Sequence, residues 1–301
     1  MTYDVCSDIL NKYRENFYNS IEILPKEIYH YTSSTALLSI IKNKELWFTN
    51  SRFLNDKTEK RYIYLLLDEY IEQNKNKFCK EYYDGIKYLC NTLTNDENEF
   101  CYNLFNENNL YVSSFSLNQD SLGLWNYYTK SSESIGYNII FDTEKFLKYS
   151  NDGSLIKQYG KVIYDKNEQL TILNNLISNL YQRFQELGNN LTGQNMLFQE
   201  FAYLINEFSI FFKDTSFKQE EEFRFVWESS KNANIREYKN IFIPYLKYNI
   251  PIVSILGITI SPTNQSNIVE LGLQQLIQNY LYEKERNISY RIDKSDIPLR
   301  Y

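Results

Sequence analysis

Short runs of period-two alternation recur along this chain, and the helical patterns between them are gathered into blocks instead of following each strand in turn. The runs are "EIYHYT" at Glu27–Thr32, "ELWFTN", "NLYVSSFSL", "SIGYNIIFD", "KQYGKVIYD", "EEEFRFVWES", "NIFIPYLK" and "VSILGITIS". A doubly wound parallel sheet would need a helix after nearly every strand, so this order argues for an α+β fold with a mainly antiparallel or mixed sheet. Helical blocks are expected at about 57–109 and 166–214, the second as two helices joined through Gly188–Gly193. They interrupt what otherwise reads as one domain over 1–301.

Local signals place the elements. Val5, Ile9, Leu10, Tyr13 and Phe17 give helical spacing before Pro25. Ser33 or Ser34 offers an N-cap for a short helix with Leu37, Ile40 and Ile41 on its apolar stripe, ending near Asn43. Asp120 or Ser121 caps a helix through "LGLWNYYT", and "NIVELGLQQLIQNYLYEK" makes a late helix. No GxGxxG or Walker pattern occurs, which weighs against Rossmann and P-loop folds.

Composition bounds the function. A net charge of -6 supplies no global basic field for stable nucleic-acid binding. No apolar run reaches a membrane span and the N-terminus has no secretory pattern, so a soluble cytoplasmic protein is expected. Cys6, Cys79, Cys90 and Cys101 form no CxxC pair, and with one histidine in the chain a Cys/His zinc site would need nearly all of them; reduced thiols and no metal are expected. The 28 Tyr and 19 Phe suit half-buried strand surfaces and carry no function alone.

Three constellations could carry chemistry. The single histidine, His30, alternates onto one strand face with Ile28 and Thr32, where it either fills the strand or marks a site. Ser114 and Ser116 share a strand face, and Trp125 and Tyr128 stand three apart on the following helix. Such groups would hold a ribose and stack a flat ring, or pack a helix on a sheet. Glu220 and Glu222 are i and i+2 at a strand start, either a charged rim or a pair suited to stabilising developing positive charge. Asp56 with Glu59 has capping-box spacing.

The successive segments "YHYTSSTALLSIIKNKELWFTNSRFLNDKTE", "SSFSLNQDSLGLWNYYTK", "IGYNIIFD", "FKQEEEFRF" and "SDIPLRY" resemble, in order, the motifs of the domain of unknown function 2971 family. That family in turn resembles the ADP-ribosyltransferase superfamily, in which a split pair of small sheets clasps NAD. The resemblance implies an NAD-dependent ADP-ribosyltransferase with NAD as substrate and no metal. His30, with Thr32 beside it, would hydrogen-bond the adenosine ribose; Ser114 and Ser116 would form the second motif, and Tyr128 or Trp125 would stack on nicotinamide. Glu222 would hold the nicotinamide ribose 2′-hydroxyl with Glu220 assisting, and the two roles could exchange. Asn55, Asp56 and Glu59 would form a cleft edge, and Arg224 or Arg300 would pair with the acids or bind pyrophosphate. Phe223 stands where the family usually has tryptophan. The implied acceptor is a macromolecule, with RNA or DNA placed ahead of protein. The implied setting is a bacterial toxin, of a toxin–antitoxin pair or an anti-phage defence, with a regulatory partner. The alternatives are an NAD glycohydrolase, and an NAD, ADP-ribose or nucleotide sensor or scaffold without catalysis.

Overall fold

The computed structural model describes residues 2–54, 59–94, 109–128, 135–148, 150, 155–230, 232–263, 265–282 and 289–298, with side chains from Leu10 onward and without those of Glu59, Lys60 and Tyr128. The fold is α+β, and the chain divides into two compact units.

One unit comprises Met1–Glu22, Ser51–Asn109 and Val162–Lys218. Among the described residues its helices are α1 (Thr2–Ile21), α3 (Glu59–Gln73), α4 (Lys80–Thr94), α7 (Lys166–Leu187) and α8 (Leu191–Ser209). The two long helices of the 166–214 block therefore form as the periodicity predicts, with Asp165 capping α7 by accepting from Asn167 N and Glu168 N. Aromatic packing joins α1 to the end of α8: the Phe17 ring stacks on Phe208 at 3.8 Å and meets Phe211 edge-on at 6.1 Å. Tyr82 of α4 is buried and donates its hydroxyl to the Ile177 carbonyl of α7.

The other unit comprises Ile23–Asn50, Leu110–Lys161 and Gln219–Tyr301 and contains every strand of the described sheet. The strands are β1 (Glu27–Ser33), β2 (Glu45–Asn50), β3 (Leu110–Ser116), β4 (Gly136–Asp142), β5 (Ile156–Lys161), β6 (Glu222–Glu228), β7 (Asn234–Tyr238), β8 (Ile241–Asn249), β9 (Ile255–Ile260) and β10 (Arg291–Lys294). Helices α2 (Ser34–Asn43), α5 (Leu122–Tyr128), α6 (Thr143–Lys148) and α9 (Asn267–Tyr280) complete the unit. The main strand order is β10-β9-β4-β1-β3-β2-β8-β7, with β6 also on β3 and β5 on β6. Only the β9–β10 pair is parallel, which makes the sheet mixed and mostly antiparallel.

The join between β1 and α2 follows the sequence signals. Ser33 ends the strand in extended conformation, its Oγ accepts from Ala36 N, and Lys44 closes the helix in the left-handed region. Leu37 and Ile41 bury the α2 stripe in a core with Ile28, Phe115, Phe141, Phe223 and Phe225. Strand β7 lies in a stretch with no strand signal of its own. It is short and mostly exposed, and it joins β8 through Lys239 and Asn240, both at positive φ (53° and 62°). That is the backbone of a two-residue hairpin turn, usually signalled by Asn-Gly, with Lys and Asn in its place. "KQYGKVIYD" is strand only to Lys161, and Val162 onward belongs to the helical unit.

Candidate functional site

Strand β3 organises the site because three strands pair with it. Strand β6 pairs along its whole length, from Leu110↔Glu228 to Ser116↔Glu222, and so occupies one edge. The other edge is shared. Its first half pairs with β2 (Tyr111↔Asn50, Val112↔Thr49), whereas its end pairs with β1 through Ser116↔Tyr29. Strands β1 and β2 thus part from a single edge, and Ser114 lies where they part.

His30 fills that opening. Its Nδ1 lies 3.3 Å from the Ser114 carbonyl oxygen. A carbonyl can only accept, so Nδ1 carries the hydrogen and Nε2 is left as an acceptor. Burial lowers the imidazole pKa to about 4, against a smaller opposing effect of the Ser114 bond, and the ring is neutral at pH 7. The side chain therefore donates to a strand carbonyl, and it fixes its own tautomer in doing so. The His30 ring also rests 5.5 Å from the Phe115 ring. The Ser114 hydroxyl makes no hydrogen bond among the described residues.

The acids follow a different geometry from strand alternation. Strand β6 begins at Glu222, Glu220 ends a 3-10 turn (Thr215–Glu220), and Glu221 between them has φ 44°. The expectation that Glu220 and Glu222 face the same side of one strand fails, because the left-handed residue breaks the alternation. Glu220 contributes its carbonyl, which accepts from Ser116 Oγ at 2.9 Å. Glu221 accepts from Asn118 Nδ2 at 2.9 Å and from Leu117 N through its carbonyl. Glu222 forms an ion pair with Arg224 at 2.5 Å, two residues on and therefore on the same face. The Arg224 side chain is 2% exposed and that of Glu222 12%. Of the two roles expected for Arg224, the structure shows the pairing with the acid.

Several expected ring and hydroxyl contacts are committed elsewhere. Trp125 is fully buried, donates Nε1 to Asp120 Oδ1 at 2.6 Å and meets the Tyr31 ring of β1 in a T-shaped contact at 4.6 Å. Tyr31 donates to the Asn118 carbonyl and accepts from Ser121 N, which anchors the start of α5. Burial raises its phenol pKa far above the usual range. The Ser116 hydroxyl, besides donating to Glu220, accepts from Asn118 N. Thr32 is buried. Asn55, Asp56, Arg300 and the side chains of Glu59 and Tyr128 lie outside the described residues.

The structure thus brings His30 to Ser114, and Ser116 to Glu222. By register, His30 and Thr32 start from the face of Phe115, whereas Ser114, Ser116, Glu222 and Arg224 belong to the opposite face. A residue missed in sequence shares that second face: Tyr29 pairs with Ser116, which pairs with Glu222, so the three form a row across β1, β3 and β6. Tyr29 and Glu222 bracket β3, with backbones roughly 10 Å apart. The signal was available in the alternation of β1, but choosing between its two faces requires the register with β3, which no residue pattern specifies. Among the described residues no group of three His, Cys, Asp or Glu could hold a metal ion, and no helix is long and apolar enough to cross a membrane.

The profile of the family described as "Protein of unknown function (DUF2971)" matches residues 124–225, from α5 into β6. This supports the resemblance to that family over a third of the chain, including the acid pair and excluding the His30 motif. No curated protein matches, and no solved structure matches.

Proposed function

We propose that the protein is an NAD-dependent ADP-ribosyltransferase acting on a macromolecular acceptor. The observation that carries this reading is the opening between β1 and β2 at Ser114, with a neutral imidazole lodged in it and a carboxylate at the adjacent start of β6. A split sheet of the ADP-ribosyltransferase kind needs such a parting of strands. His30 Nε2, held as an acceptor, suits a ribose hydroxyl donor, and on the opposite face of β3 the unbonded Ser114 hydroxyl shares a side with Glu222.

In the reaction, the bond from ribose C1′ to the nicotinamide nitrogen breaks and its electron pair leaves with the neutral ring. The acceptor heteroatom forms the new bond to C1′ and releases its proton. Positive charge develops on the ribose as the bond stretches, and Glu222 is the carboxylate to stabilise it through the 2′-hydroxyl. Arg224 acts as a positioning residue that fixes the Glu222 carboxylate. The acid-rich composition argues against a broadly basic docking face, so RNA or DNA acceptors would be engaged locally. A bacterial toxin or anti-phage setting, a regulatory partner and a cytoplasmic site of action follow from the family resemblance. Nicotinamide release from NAD, measured with and without RNA, DNA or cell lysate, tests the reading. Release stimulated by one acceptor class supports transfer, and release that no acceptor changes supports NAD hydrolysis.

A second reading is a non-catalytic NAD, ADP-ribose or nucleotide sensor or scaffold. It is favoured by the commitment of Glu222 to a buried arginine and of Trp125 to the core. NAD binding by calorimetry with no nicotinamide release would select it.

A further inference from the structure

The helical unit contains a groove of about 420 Å³ between α4, α8 and the end of α7. Gly85 shapes its floor. A Cβ at that position would lie 2.5 Å from the Phe198 ring, so the ring seats against bare α4 backbone. A mid-helix glycine is intrinsically unfavourable, and here it permits that close approach. Phe184 backs the floor with its ring 5.6 Å from Phe198.

The rim differs in character from the floor. Tyr88, one turn beyond Gly85 on α4, is 67% exposed and makes no ring contact or hydrogen bond among the described residues. Glu81, one turn before Gly85, is exposed and makes no ion pair among the described residues. Gln199 also lines the groove, whereas no Lys or Arg among the described residues does. An anionic ligand would meet a carboxylate and no cation. A cation would find aromatic faces, a carboxylate within the same helix face and an amide oxygen to accept its N–H groups. The volume lies at the small-molecule end of binding pockets.

We propose that this groove binds a small organic cation of the guanidinium or alkylamine class, with its apolar stem on Phe198 and Phe184 and its charged head between Tyr88 and Glu81. The test is isothermal titration of the full chain with agmatine and spermidine as probes and AMP as the anionic comparison. At least one cation is expected to bind with no measurable AMP binding. Tyr88→Ala and Glu81→Gln are each expected to weaken that binding about five- to tenfold, with thermal midpoints unchanged because both side chains are exposed. Gly85→Ala, which pushes Phe198 into the groove, is expected to abolish it. Failure of both cations to bind at millimolar concentration, equal binding of AMP, or affinity unchanged in both Tyr88→Ala and Glu81→Gln would overturn the proposal.

Discussion

Changing Glu222 to Gln removes the charge facing a guanidinium that is 2% exposed. Arg224 cannot shed its own charge, because its pKa lies far above neutral. Removing one partner of a buried ion pair typically costs about 3 to 5 kcal/mol. Glutamine keeps the shape and one acceptor oxygen, and the 12% exposure of Glu222 admits some solvent, which brings the expected cost to about 2 to 3 kcal/mol. Arg224→Met should cost less, about 1 to 2 kcal/mol, since the remaining carboxylate lies nearer the surface and can be hydrated. The double variant should cost little more than Arg224→Met alone, giving a coupling energy of about 1.5 kcal/mol or more. For a unit of this size each kcal/mol moves the thermal midpoint by about 2 to 4 °C, so Glu222→Gln should melt roughly 4 to 12 °C below the wild type. Circular dichroism melts of the four proteins at pH 7, supported by urea titrations, measure the cycle. A Glu222→Gln midpoint within about 1 °C of wild type, or single costs that simply add in the double variant, would refute the buried pair. Glu222→Gln is thus expected to weaken the fold, and turnover must be compared below its melting range.

Other perturbations read separate parts of the account. His30 has a folded pKa of about 4 against 6.5 when unfolded, so its proton binds the unfolded chain first. Its contribution to stability is constant above pH 6.5 and falls as pH drops toward 4, by at most about 3 kcal/mol. Urea midpoints against pH should show that slope reduced in His30→Asn. Trp125→Phe removes the indole donor to Asp120 and should cost about 1.5 to 3 kcal/mol by urea denaturation, whereas a ligand-stacking tryptophan would show no such loss. Gly257→Ala places a Cβ 2.5 Å from the Arg291 carbonyl oxygen and should detach β10 from β9, seen as faster amide exchange over Arg291–Lys294. Replacing Lys239-Asn240 with Asn-Gly, which suits the two positive φ angles, should raise stability by about 1 kcal/mol in the same denaturation assay.

What the sequence revealed and what it hid divide along physical lines. Ser33 and the alternation of β6 are local signals, and each acts on backbone within a few residues, so that cap and that strand are legible, whereas Asp165, read as the end of a strand, caps α7 instead. The placement of Glu220 is not legible, because one left-handed residue, Glu221, overrides the period-two rule and carries no glycine to announce it. Trp125 illustrates a different limit. Its spacing with Tyr128 is the same whether a ring faces a ligand or the core, and only its bond to Asp120 and its contact with Tyr31 decide between them. His30 stands out in the sequence as the single histidine, but its hold on Ser114 depends on two strands parting from one edge 84 residues away, which is a property of topology.

The most direct test of the proposed function is nicotinamide release from NAD by the folded wild-type chain beside Glu222→Gln at a temperature where both are folded, with RNA, DNA and lysate as separate additions. The account predicts release that rises with one acceptor class and falls about 10²- to 10³-fold in the variant. Absence of release under every condition, or release equal in the two proteins, would contradict it.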